Sequence, residues 1–89
     1  MDFLNVRIND VKIDVGKLIK KMRAQRKMTQ EDLANQLNLS RITIQNIERG
    51  SNFTIDTFLL ILQHFDEIAS FSEYIKSKME DHSGMKSIY

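Results

Sequence analysis

From Val15 to Met79 apolar residues return every three or four positions, the period of an α-helix. Val15, Leu18, Ile19 and Met22 form a first stripe behind Asp14, a residue type that caps helix N-termini. Leu33, Ala34 and Leu37 form a second, behind Thr29-Gln-Glu-Asp32, which matches a capping box. Asn38-Leu39 makes a tight turn, and Asn tolerates the left-handed conformation better than most residues other than Gly. Ser40 caps a third helix, and Gly50 closes it. Thr54 caps a fourth, with Ile55, Phe58, Leu59, Leu62 and Phe65 at helical spacing. Asp66 is placed as the cap of a fifth, whose stripe is Ile68, Phe71, Ile75 and Met79. The pattern predicts an all-α domain of five helices.

The two ends read differently. Leu4, Val6 and Ile8 alternate with polar residues, as do Val11 and Ile13 beyond the turn dipeptide Asn9-Asp10. That is the pattern of a β-hairpin. A lone hairpin is marginal in water, so this segment is either a hairpin packed on something or a loose arm. The expected organisation is an arm or hairpin over 1–14, a helical domain over 15–80, and a fraying tail over 81–89.

The short helix over 40–49 carries the chemistry. At ~100° per residue, Ser40, Ile47 and Glu48 lie within about 60° of Ile44, so that side faces a core. Ile42, Gln45, Asn46 and Arg49 lie opposite, flanked by Arg41 and Thr43. Arg suits guanine, Gln and Asn suit adenine, and an apolar side chain suits the thymine methyl. Two short helices joined by a tight turn, the second bearing this face, form a helix-turn-helix, which places one helix in the major groove of double-stranded DNA. Thr29 and Gln30 open the preceding helix, where backbone N–H groups can hold a phosphate; Gln30 can reach that phosphate or brace a side chain of the next helix. Arg23 and Glu48 are expected to pair structurally, tying the first helix to the third.

Charge sharpens this reading. The net charge is only +1, yet residues 17–50 carry eight cations against three anions, a balance of +5, while residues 51–82 carry two cations against six anions, a balance of −4. One half suits phosphates and the other does not. The chain has no Cys, which excludes disulfides and thiolate metal sites. His64 and His82 stand far from any acid cluster, and no nucleophile, phosphate loop or carboxylate pair stands out. The expectation is therefore no metal, no cofactor and no enzyme. No apolar run approaches the ~20 residues of a membrane span, and the N-terminus lacks the order of a signal peptide, so the expected compartment is the cytoplasm.

Apolar residues in the acidic half exceed what one small core needs: Phe53, Phe58, Leu60, Ile61, Phe65, Phe71, Tyr74 and Ile75. Leu60 and Ile61 are neighbours ~100° apart on a helix, so both cannot face inward. A two-fold dimer is expected, with Leu60, Ile61, Phe65, Phe71 and Ile75 at its interface.

The stretches Leu18-Ile-Lys-Lys-Met-Arg-Ala-Gln-Arg-Lys-Met-Thr-Gln-Glu-Asp-Leu-Ala-Asn-Gln-Leu37, Leu39-Ser-Arg-Ile-Thr-Ile-Gln-Asn-Ile-Glu-Arg-Gly50 and Thr54-Ile-Asp-Thr-Phe-Leu-Leu-Ile-Leu62 resemble the lambda-repressor-like helix-turn-helix family, the Cro/C1 or XRE-type regulators. The likeness covers residues 15–65 and implies five helices, a homodimer and a near-palindromic operator. Carried over by position, it implies that Gln30 holds the DNA backbone. Ser40, Thr43 and Arg49 would meet phosphate. Arg41, Ile42 and Asn46 would face bases, with Gln45 beside them. Asn38 departs from the Gly common in the family's turn. The leading expectation is a transcriptional repressor. Asn52–Leu62 is also similar to antitoxins of this fold, so a protein that neutralises a partner toxin and represses its own operon is the second. A restriction-modification controller, with a methylase or nuclease encoded beside it, is the third.

Overall fold

The computed structural model describes residues 5–52 and 54–83. Within them lie five helices and no strand: α1 Ile8–Gln25, α2 Gln30–Leu37, α3 Arg41–Glu48, α4 Ile55–His64 and α5 Ile68–Ser83. The first four enclose one core of Ile19, Met22, Leu33, Ala34, Ile44, Ile47, Phe58, Ile61, Leu62 and Phe65. Five of these, Ile19, Leu33, Ile44, Ile47 and Ile61, are fully sealed from solvent. Each such side chain contributes about 1.5–3 kcal/mol by leaving water.

Of the arm or hairpin expected over residues 1–14, residues 8–14 are neither: they are helix. α1 begins at Ile8, so the helical domain reaches well into that segment, and Asp14 is an interior residue rather than a cap. The Asp10 carboxylate accepts from the Arg7 N–H at 3.2 Å and closes the first turn. Asn9 and Asp10 thus start a helix instead of turning a hairpin. Ile8, Val11, Val15 and Leu18 also satisfy the three-and-four spacing, which the alternating pattern masked. Residues 1–4, including Leu4, lie outside the described residues.

Four helices end in the same way. The residue after the last turn takes a left-handed φ: Lys27 at 55°, Asn38 at 58°, Gly50 at 79° and Asp66 at 62°. The next N–H then reaches back to the last turn, as in Met28 to Arg23, Leu39 to Ala34, Ser51 to Asn46 and Glu67 to Leu62. These are Schellman closures, which satisfy carbonyls that a helix end would otherwise leave unpaired. Asp66 is therefore spent in ending α4; its φ is not that of an N-cap, and α5 begins at Ile68 after Glu67. The starts of α2, α3 and α4 are capped as expected. Thr29, Ser40 and Thr54 accept from the N–H groups of Asp32, Thr43 and Thr57.

α1 lies directly against the end of α3. A Cβ added at Gly16 would run into the Glu48 carbonyl and come within 2.9 Å of the Ile47 carbonyl oxygen. The contact is backbone to backbone, so neither side can give way. A Cβ built at Gly50 would lie 3.3 Å from the Ile13 side chain and the Lys12 backbone, so the early part of α1 packs against the end of α3.

α5 is the outlier. It runs through Ser83, past the expected fraying point at 81, and none of its sixteen residues is buried. Residues 84–89 lie outside the described residues. Phe71 meets Phe58 edge-on at 5.5 Å, and Ile68 and Phe71 pack against the core's margin. Beyond them Tyr74, Ile75 and Met79 are exposed. Leu18 is also 45% exposed, because its side of α1 opens on a groove shared with Phe71 and Tyr74 rather than on the closed core.

Gly16→Ala should lower stability by at least ~1–3 kcal/mol, the range for forcing atoms into a packed site. Urea unfolding followed by circular dichroism would show this as a lower midpoint with an unchanged slope; an unchanged midpoint would mean that α1 and α3 can separate freely.

Candidate DNA interface

The inward side of α3 is Ile44, Ile47 and Glu48, all buried. The remaining residues form its outer side. Arg41, Ile42 and Arg49 are exposed, Ile42 to 55%, while Thr43, Gln45 and Asn46 are half-buried. This is the division expected from spacing except at Ser40, which was placed on the core side and is exposed as the N-cap, and it brings the six outward residues onto one surface. Ser40 stands at the near end, where its hydroxyl accepts from the Thr43 N–H at 3.1 Å and lies 2.9 Å from the Thr43 hydroxyl. At the far end the Asn46 carbonyl oxygen of the side chain accepts from Arg49 at 3.4 Å. Ile42 is an apolar residue on a polar surface.

α2 crosses behind α3, separated by the three residues Asn38, Leu39 and Ser40. Leu39 tucks against the core and locks the turn. The N-terminus of α2 then lies beside the start of α3. Thr29, Gln30, Glu31 and Arg41 line a shallow recess there, with Arg23 and Met28 at its back. Asp32 closes the capping box by accepting from the Thr29 N–H at 2.9 Å. Those hydrogen bonds from Thr29 hold the Asp32 carboxyl below the usual carboxylate range.

Behind this surface lies the pair expected from the sequence. The Arg23 Nε donates to one oxygen of Glu48 at 2.6 Å and its Nη2 to the other at 2.9 Å. Nη1 donates to the Met28 carbonyl at 2.8 Å. The side chains are 13% and 2% exposed. The hydrogen bond to Glu48 raises the Arg23 pKa above its already high value, burial acts the other way, and the Glu48 charge adds to the rise. The two-pronged guanidinium meets both oxygens of the buried carboxylate. Sequence reasoning missed one link: the Gln30 amide donates to the same Glu48 oxygen at 3.0 Å. Bracing of an α3 side chain by Gln30 was foreseen; that it would be the buried glutamate was not.

The residues expected at a dimer interface divide. Ile61 is wholly buried and Phe65 is 6% exposed, so both belong to the monomer core. α4 turns Ile61, not Leu60, toward α1–α3. Leu60 is left half-buried beside Leu59 and Ile68. Phe71 is half-buried, and Ile75 is 43% exposed. Phe53 lies outside the described residues. Among the described residues no three His, Asp or Glu side chains gather as a metal site would require, and no helix is long and apolar enough to cross a membrane.

Residues 19–68 match the helix-turn-helix family model, more than half of the chain. The chain belongs to the lambda-repressor-like helix-turn-helix family. Its members are DNA-binding transcriptional regulators, and so is this protein. It is also similar to a solved restriction-modification controller protein, C.Esp1396I, described as a tetramer in complex with its natural 35 base-pair operator. The identity is 36% and the TM-score 0.58, over 90% of this chain and all of the other. No curated protein sequence gives a significant match.

In this helix-turn-helix regulator, Glu48→Ala should cost ~3–5 kcal/mol, because it strands the Arg23 charge. Arg23→Met together with Glu48→Met should cost far less than the sum of the single changes. A double-mutant cycle on urea unfolding would measure the coupling, and additive losses would mean that the pair is not a stabilising unit.

Proposed function

We propose that this regulator binds a near-palindromic operator as a homodimer, with α3 of each copy in the major groove, and that it controls transcription as restriction-modification controllers do. The observation that carries this is the outer side of α3. Arg41, Ile42, Thr43, Gln45, Asn46 and Arg49 form one accessible surface backed by a fully packed face. On this reading Arg41, Ile42 and Asn46 meet base edges, with Gln45 beside them. Ser40, Thr43, Arg49 and the α2 start at Thr29 and Gln30 meet phosphates. The regulatory sign is repression, by occupying promoter DNA. The likeness to a controller that binds its operator supports this reading over the antitoxin one.

Selection of bound sites from a random duplex library tests the proposal. The expected result is a two-fold symmetric site with half-site centres ~10–10.5 base pairs apart. Binding should weaken steeply with salt, each neutralised phosphate adding about −0.9 to the log–log slope. Arg41→Ala or Asn46→Ala should lose ~1–3 kcal/mol on the selected site and less on random duplex. Equal loss on both would move that residue to the phosphate contacts, and enrichment of no sequence would sink the proposal.

Dimerisation is supported by α5. A sixteen-residue helix anchored on its own core only through Ile68 and Phe71 leaves Tyr74, Ile75 and Met79 exposed, an apolar side that a second copy would cover. Leu60 on α4, half-buried beside Leu59 and Ile68, adds an apolar residue at the start of α5. Two recognition helices set ~34 Å apart also supply the specificity that one cannot. Sedimentation at micromolar concentration should give a dimer for the wild type and for Asn46→Ala, and a monomer for Leu60→Glu or Ile75→Glu. A wild type that stays monomeric even on a selected site would remove the homodimer.

A further inference from the structure

We infer that Glu48, which is too deeply buried to touch DNA, is a positioning residue for DNA binding and acts through Gln30. This rests on the reading of Gln30 as a contact to DNA. Glu48 has 2% of its side chain exposed. Its Oε2 accepts from Arg23 Nε, and its Oε1 accepts from both Arg23 Nη2 and Gln30 Nε2. Arg23 alone would be a sufficient partner for the charge. The third bond reaches across to the first residue of α2 and ties the interior of the domain to its surface.

The consequence for Gln30 is chemical. A primary amide has a donor end and an acceptor end of nearly equal shape, so a surface glutamine can turn either way. A carboxylate accepts only. Facing Glu48, the Gln30 amide must present its nitrogen inward and keep its carbonyl oxygen and one N–H for other partners. The bond also holds a side chain that would otherwise sample many rotamers. Gln30 stands beside Thr29 and Arg41, at a helix N-terminus whose backbone N–H groups lack helical partners. The amide N–H that remains, with those backbone N–H groups, can donate to a phosphate oxygen, and its place is set before DNA arrives, so less ordering is left to be done on binding. Arg23 holds Glu48 in register, and its third contact, to the Met28 carbonyl, ties the same group to the loop that leads into α2. The one carboxylate therefore joins the last turn of α3, the end of α1 and the start of α2, and transmits that order to the amide.

The test is a double-mutant cycle read on DNA affinity, not on stability. Wild type, Glu48→Gln, Gln30→Ala and the combined variant are titrated with the selected duplex at a temperature where circular dichroism shows all four folded. The expected result is that Glu48→Gln weakens binding several-fold in the wild type and less than two-fold once Gln30 is Ala. A glutamate that serves only the fold would give the same factor in both backgrounds, and that outcome overturns the inference. Should Glu48→Gln not fold, Glu48→Asp, which keeps the charge but shortens the reach to Gln30, takes its place in the cycle, and the same two outcomes decide. Failure of the wild type to bind any duplex would refute the underlying reading and this inference with it; wild-type binding with an additive cycle refutes this inference alone.

Discussion

A carboxylate in the interior of a small protein is costly unless it is met on every side, and Glu48 is the point around which this domain is assembled. Arg23 reaches it from α1 in a two-pronged contact, Gln30 reaches it from α2, and it stands itself on the last turn of α3. Those bonds form only if α1 comes close to the end of α3. Gly16 permits that approach, since any side chain there would strike the Ile47 and Glu48 carbonyls. A missing side chain on one helix and a buried charge on another are thus parts of one arrangement. The apolar residues around them supply most of the stabilisation, but they are tolerant of small shifts. The charged contact, with its fixed fork geometry, sets the relative placement of the helices.

Short helices need firm ends. α2 and α3 have eight residues each, below the length at which isolated helices persist in water. Each begins on a side-chain cap and ends on a left-handed residue whose neighbour bonds back into the last turn. The ends are as important as the middles here, because the turn between α2 and α3 determines the angle at which the second helix stands off the surface. Lys27 and Asp66 adopt the left-handed conformation without the freedom of Gly, at a cost of roughly 1–2 kcal/mol each that the closing hydrogen bonds and packing offset.

The division of labour follows from which sides remain. Once Ile44, Ile47 and Glu48 are turned inward, the rest of α3 is exposed or half-buried and faces away from the core. α5 presents the opposite case. It is anchored at its start through Ile68 and Phe71 and is otherwise uncovered, with an apolar side that water does not favour. Arg26 helps set its origin by lying over the Phe65 ring at 4.8 Å and reaching Asp66, although an ion pair so exposed contributes little by itself.

Much of this was legible in the chain. The apolar spacing of Ile44 and Ile47, the caps Thr29, Ser40 and Thr54, and the left-handed Asn38 and Gly50 follow from local rules that act over a few residues; the partnership of Arg23 with Glu48, 25 residues apart, was expected from their places on two helices rather than from spacing. Local rules fail where two patterns share the same letters. Ile8, Val11 and Ile13 fit an alternating strand as well as a helix, and contact between Gly50 and the Lys12–Ile13 segment places them in α1. Asp66 could cap one helix or end another, and its φ decides. Leu60 and Ile61 are equally apolar neighbours; only the way α4 lies on the other helices makes Ile61 core and leaves Leu60 at the edge. The link from Gln30 to Glu48 spans eighteen residues and two helices, and no spacing along the chain encodes it. The sequence by itself determined the helices, their ends and the face of α3, because those depend on near neighbours; the tertiary structure decided which of two equivalent residues is buried and which polar groups meet, because those depend on how the helices lie against one another.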